Sequence, residues 1–355
     1  MASLQCDVIT VPDFGSPRVL FEARTLFFLA SWIERVGAPA NLRLHLVCLG
    51  EPPPSVRELG ERAGARLHEG RPPRTAFGAT GNKLAGFGIA PTADHLLLVD
   101  ADAVFLSDPS LPEDFAGSVA LALANRPRIS TELWREIYGV AGLPFPAERT
   151  PCRLHEAGVA RFRHSDYPAQ ADEMVQMVPY YNSGVVFAPW ASRFWERWAY
   201  YGDLVAAWGR ATHPDLRILA NSDQTGLALA VSELIGAGQP FLRLPDPWHA
   251  ILALLQTGRC RTSEIRVLHL IHFLRTLRRT QHLPWKMRQF FRQHGRALSR
   301  PHGRLQGGAS FWDRVRRFGE IREDCAMARR YIESLYRNWV APALGLPGNV
   351  ARRSR

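Results

Sequence analysis

The chain has 355 residues, 46% hydrophobic and 22% charged, which supplies apolar material for a large buried core and excludes a disordered polymer. Its formal charge of +11 is uneven: from Arg275 onward there are 19 Lys or Arg against 5 Asp or Glu, so the first 274 residues carry −3. No run approaches the roughly 18 apolar residues of a membrane span, the N-terminus lacks a signal-peptide pattern, and five scattered cysteines (6, 48, 152, 260, 325) without CxxC spacing argue against a disulfide framework and for a reducing, cytoplasmic compartment.

In chain order, Cys6–Val11 (CDVITV) reads as a buried strand closed by Pro12. Leu20–Val36 carries apolar residues at 20, 23, 26, 27, 30 and 33, the helical period, and stops at Gly37. Leu42–Leu49 is a second strand, and a helix from about Ser55 to Ala63 follows three prolines. With the apolar run Leu96–Val99, the order strand, helix, strand, helix, strand predicts an α/β fold: a mostly parallel sheet flanked by helices. Ligands of such sheets sit beyond the carboxyl ends of the strands, and both Thr10-Val11-Pro12 and the residues after Val99 fall on that edge.

Those residues are Asp100-Ala101-Asp102. In extended chain, residues i and i+2 point to one side, so both carboxylates can face one object while Ala101 turns to the core. A divalent cation relieves their repulsion, and oxygen ligands suit hard ions such as Mg²⁺ or Mn²⁺. The alternative is a strand-to-loop turn in which Asp bonds its own backbone. Upstream, Arg71–Gly81 reads as loop and Asn82–Ile89 as a short helix holding Lys83, the only lysine before position 286. That lysine is either solvated or a partner for diphosphate oxygens.

Residues 107–179 are rich in Pro, Arg and Glu and read as a lid or an insertion. Tyr180–Pro189 places an Asn-Ser-Gly corner before the apolar run Val185–Ala188, with Asn182 either bonding its own backbone or facing a ligand. After a helix around Phe194–Trp208, Asn221-Ser222-Asp223-Gln224 opens the apolar helix Thr225–Leu234. Ser222 or Asp223 could cap it, or Asp223 and Gln224 could face sugar hydroxyls. Ile265–Phe273 is a strand carrying His269 and His272, each a core histidine or a metal ligand. The division expected is a catalytic region, 1–274, and a basic helical extension, 275–355, in which Arg275–Arg300 strings arginines among Trp285, Phe290 and Phe291, Phe311–Trp339 is helical, and a loose tail closes the chain.

Taken together, Lys83, Asp100-Ala101-Asp102, Tyr181-Asn182-Ser183-Gly184-Val185, Asp223-Gln224, Leu244-Pro245-Asp246-Pro247-Trp248 and His269 resemble, in type and order, the motifs of the retaining GT-A glycosyltransferases of the glycogenin and lipopolysaccharide galactosyltransferase family. The resemblance spans about residues 6–273. It implies a Rossmann-like GT-A fold and a metal-dependent, hexosyltransferase-like enzyme using a nucleoside-diphosphate sugar, with UDP the expected nucleotide. Thr10, Val11 and Pro12 would lie at base and ribose. Asp100 and Asp102, with His269 or alternatively His272, would hold Mn²⁺ or Mg²⁺, and Lys83 would meet the diphosphate. Asn182, Asp223 and Gln224 would orient the donor sugar. The family's Gly-x-x-Lys-Pro-Trp turn is altered: Pro284-Trp285 follow Leu283, so either Arg275, Arg278 or Arg279 replaces the lysine or the donor is gripped less tightly. The altered turn motivates the alternative of a GT-A-like fold that binds a sugar nucleotide or glycan without turnover. A glycan, lipid-linked or protein acceptor is expected, with peripheral contact of the basic extension to a membrane preferred over nucleic acid, and a solvated basic helix packed on the catalytic region the equal alternative to both.

Overall fold

The computed structural model describes residues 3–15, 18–76, 78–124, 129–153, 174–214, 223–251, 260–270, 323, 327–328 and 330–345. His272, Arg275, Arg278, Arg279, Asn221, Ser222, the Pro284-Trp285 pair and most of the basic extension lie outside the described residues. The elements run β1 (Cys6–Thr10), α1 (Arg18–Arg35), β2 (Leu42–Leu49), α2 (Pro54–Arg62), β3 (Arg66–Gly70), a 3-10 helix (Gly78–Gly88), β4 (His95–Val99), β5 (Ala103–Phe105), β6 (Val119–Leu123), α3 (Thr131–Val140), β7 (Thr150–Arg153), β8 (Met174–Met177), β9 (Tyr181–Pro189), α4 (Phe194–Thr212), α5 (Asp223–Gly236), β10 (Phe241–Arg243), β11 (Ala250–Ile251) and β12 (Val267–His269).

The chain divides into two compact units. The first comprises Met1–Val11, Gly70–Asp100 and Ser110–Pro245, the second Pro12–Glu69, Ala101–Pro109 and Asp246–Arg355. In the first, five strands lie in the order β10-β6-β9-β4-β1. β1 pairs parallel with β4 and β10 parallel with β6, while β9 runs antiparallel to both β4 and β6. Four strands therefore point one way, the mostly parallel sheet that the element order predicts. Buried residues fill β1, β6 and all but the first position of β4, as strands covered on both faces require. Asp7 interrupts β1 with a fully buried carboxylate. It accepts from the backbone N–H of Thr92 (2.8 Å) and Ala93 (3.1 Å), the Thr92 hydroxyl and Trp190 Nε1 (3.1 Å), so its charge is satisfied and the turn before β4 is tied down.

Two glycines set the close approaches in this unit. A Cβ on Gly86 would lie 2.9 Å from Ile9 Cγ2 and 3.1 Å from Val11 Cγ2, so only glycine lets the 3-10 helix settle on β1. A Cβ on Gly226 would lie 2.5 Å from Gly202 N, so α4 and α5 meet backbone to backbone.

In the second unit, α1 packs on β5. Phe105 meets Phe28 and Trp32 edge-on at 5.1 and 5.4 Å, and the Ser31 hydroxyl accepts the Phe105 N–H at 3.0 Å. A three-stranded sheet, β11-β12-β5, pairs β12 antiparallel with β5.

Three expectations change in detail. Residues 107–179 contain β6, an interior strand of the first unit's sheet, together with α3, β7 and β8. Their Pro and Arg content hides the short run Val119–Leu123. Asn182-Ser183-Gly184 is no corner: all three residues are buried inside β9, because pairing with β4 continues through Val185 to the hydrogen bond from Asp100 N to Gly184 O. β3 went unread because its sequence, RLHEG, has no buried residue and no apolar pattern. Among the described residues no helix is long and apolar enough to cross a membrane.

Candidate functional site

Antiparallel pairing of β4 with β9 brings the start of β9 to the carboxyl end of β4, where Asp100 begins. Asp100 donates its N–H to Gly184 O at 2.9 Å, which fixes the backbone from which its carboxylate projects. The 3-10 helix, seated through Gly86, presents Lys83. Its Nζ lies 2.9 Å from Asp100 Oδ1 and 3.1 Å from Asp223 Oδ2, and donates to Ser183 Oγ at 2.9 Å and Ser183 O at 3.3 Å. The Ser183 hydroxyl in turn donates to Asp223 Oδ2. Burial alone would push the Lys83 ammonium down, but Asp100 and Asp223 more than offset it by charge and hydrogen bonding, so its pKa stays above the ordinary lysine value. It is a fixed cation.

Asp223 is the first residue of α5 and is buried. Trp198 Nε1 from α4 donates to its carbonyl at 2.8 Å, and the Gly226–Gly202 contact one turn on holds the helix start against α4. Gln224 beside it is half-buried. Asn182 Oδ1 accepts the N–H of Gly184 at 3.0 Å, the local backbone bond that its position in the motif allowed.

In the second unit the register of β12 against β5 sets His269 opposite Ala103, and Leu270 donates its N–H to Asp102 O at 2.8 Å. The side chains follow the backbone: His269 Nε2 lies 2.8 Å from Asp102 Oδ1. On its far side, His269 Nδ1 lies 3.0 Å from His249 Nε2. A carboxylate only accepts, so His269 donates through Nε2 and at Nδ1 accepts a hydrogen bond from His249 Nε2–H. Both imidazoles are buried. The second carboxylate oxygen of Asp102 faces Arg24 Nη2 at 3.5 Å. Asp100, Asp102 and His269 each offer one ligand atom, and these atoms lie within 4.8 Å of one another. One nitrogen and two carboxylate groups are a donor set that fits Mn²⁺ or Mg²⁺.

Thr10 is fully buried, Pro12 buried and Val11 half-buried at the carboxyl end of β1. Among the described residues, the buried Thr10 Oγ1 and Arg24 Nε have no hydrogen-bond partner. Ser183, His249 and Arg24 entered no sequence-based set of site residues. Ser183 stood in a motif already singled out and His249 follows Pro247-Trp248, whereas nothing local marks Arg24 among the other arginines.

The sequence pattern of a family described as "Rhodobacterales glycosyltransferase domain" matches residues 49–234. Comparison with curated proteins finds no match. Similar solved structures include the galactosyltransferase LgtC in complex with donor and acceptor sugar analogs, 12% identical over 74% of this chain and 86% of that one, TM-score 0.42. Mouse xyloside xylosyltransferase 1, apo form, is 14% identical over 74% of this chain and 97% of that one, TM-score 0.43. An active-site mutant of LgtC is 11% identical over 74% and 86%, TM-score 0.42.

Proposed function

Because the chain belongs to the Rhodobacterales glycosyltransferase domain family, and is a glycosyltransferase on that ground, we propose that it moves a sugar from a uridine diphosphate donor to an acceptor hydroxyl on a GT-A sheet, with retention at the anomeric carbon. The observation that carries the metal and donor reading is the set Asp100, Asp102 and His269, whose ligand atoms lie within 4.8 Å of one another. A divalent ion held there would neutralise diphosphate oxygens and offset the charge that develops on the leaving nucleotide.

The chain's own residues divide the remaining work. Lys83, kept cationic by two carboxylates, would set its positive charge near the diphosphate while its donors stay with Asp100, Asp223 and Ser183. His269 would hold the ion through Nε2 once its proton has moved to Nδ1, from where it would donate to His249 Nε2 and fix the ring. Asp223 and Gln224, at the first turn of α5, orient the donor sugar, with Ser183 holding the Asp223 carboxylate in place. Asn182 shapes the backbone beneath them through Gly184. Thr10, Val11 and Pro12 meet base and ribose, and the unmet Thr10 hydroxyl supports that placement.

Thermal melting tests the reading. Uridine diphosphate with Mn²⁺ raises the melting temperature of the wild type by several degrees, and Asp102→Asn abolishes the rise. No shift with any nucleoside diphosphate and metal contradicts the donor assignment. A shift without sugar transfer or donor hydrolysis turns the reading to a binding protein.

A further inference from the structure

We infer that Arg24 has two alternative partners, the Asp102 carboxylate and the donor diphosphate, and that a divalent ion engaging Asp102 hands it from the first to the second. The inference rests on the donor and metal reading above and adds a residue to it.

The two oxygens of Asp102 are not equivalent. Oδ1 lies 2.8 Å from His269 Nε2, a full hydrogen bond, whereas Oδ2 lies 3.5 Å from Arg24 Nη2, beyond the usual length of a charged hydrogen bond. Arg24 is thus an ion-pair partner with capacity left over. Its Nε is buried and makes no hydrogen bond among the described residues. An unmet buried donor is costly, and a cation that bears one is matched to an anionic acceptor that arrives later.

Position and shape favour a phosphate. The side chain is 14% exposed and its guanidinium lies 5.0 Å from the centre of the Phe21 ring, so it is confined to the neighbourhood of Asp102. A planar fork of donors suits paired phosphate oxygens better than an ammonium does. Lys83 has its donors engaged by Asp100, Asp223 and Ser183, whereas Arg24 keeps one in hand. A divalent ion on Asp102 competes with Arg24 for the same carboxylate. Metal and Arg24 therefore oppose each other until a diphosphate is present, and cooperate once it is.

Calorimetry on the full chain separates the two contributions. Wild type, Arg24→Gln and Arg24→Lys are titrated with Mn²⁺ alone, and then, at saturating Mn²⁺, with uridine diphosphate and with uridine. Arg24→Gln binds Mn²⁺ about two- to fivefold tighter, since a competing ion pair is gone, yet binds uridine diphosphate roughly tenfold to a hundredfold weaker, with uridine unchanged. Arg24→Lys falls between wild type and Arg24→Gln for both ligands. The opposite signs are the diagnostic: a merely structural residue weakens Mn²⁺, uridine and uridine diphosphate together, and that pattern, or unchanged uridine diphosphate affinity in both variants, overturns the inference while leaving the donor reading standing. Failure of the wild type to bind uridine diphosphate and Mn²⁺ overturns both.

Discussion

Asp7 and Asp102 show how differently this chain uses a carboxylate. Asp7 is fully buried with two backbone N–H donors, a hydroxyl and an indole N–H around it. Asp7→Ala strands those donors in the core and lowers stability by about 3 kcal/mol in chemical denaturation. A loss under about 0.5 kcal/mol would show that the turn before β4 needs no anchor. Asp102 instead divides its oxygens between His269 and Arg24, and His249 completes the line of hydrogen bonds. His249→Ala is expected to weaken Mn²⁺ binding about tenfold, measured by titration; unchanged affinity would show that His269 needs no second partner. The i, i+2 spacing of the Asp pair is legible in sequence because it is local geometry. Arg24 and His249 are not, because their places beside Asp102 and His269 depend on how α1 and the turn after β10 come together in three dimensions.

At the scale of elements, strands and helices dense in apolar residues were readable nearly to the residue. Leu42–Leu49 is β2 as expected, and α1 runs Arg18–Arg35 against an expected Leu20–Val36. Periodicity reports burial, so it fails where burial is partial, as in β3, or where five residues must announce an interior strand, as in β6. It also says nothing of how closely two helices may approach. That approach depends on Gly226, whose added Cβ would meet the backbone of Gly202 at 2.5 and 2.6 Å. Gly226→Ala forces α4 and α5 apart, lowers stability by about 2 kcal/mol and, by moving the start of α5, weakens uridine diphosphate binding. Gly236→Ala, with nothing within 4 Å of its Cβ, is the control and leaves stability within about 0.5 kcal/mol. Equal melting temperatures for the two variants would contradict the close crossing.

For the whole molecule, the C-terminal segment supplies aromatic rings to charged side chains of α1 and α2 within the second unit. Arg35 lies over Tyr331 at 4.3 Å, Arg62 over Trp339 at 4.6 Å, and Trp339 Nε1 donates to Glu34 at 2.6 Å. Charge count alone says nothing of these contacts, since their arginines belong to α1 and α2 and the C-terminal segment contributes the rings. Global stability also carries a pH signature. Burial, and then the neighbouring Asp7, pushes the Cys6 thiol up to about 12, and burial pushes Cys48 up to about 11 against the pull of Arg57. Unfolded thiols titrate near about 8.5, so above that pH the unfolded chain sheds protons that the folded chain keeps. These groups therefore leave stability unchanged below about pH 8 and lower it progressively from there towards pH 12. Denaturation midpoints at pH 8 and 10.5 fall less in Cys6→Ala than in wild type; equal falls would remove Cys6 from the effect.

The most direct measurement is anomalous diffraction at the manganese edge from crystals soaked with Mn²⁺ and uridine diphosphate. The expected result is one peak bonded to Asp100, Asp102, His269 and the diphosphate; nucleotide bound with no peak there, or with manganese held elsewhere, contradicts the proposed metal-assisted transfer.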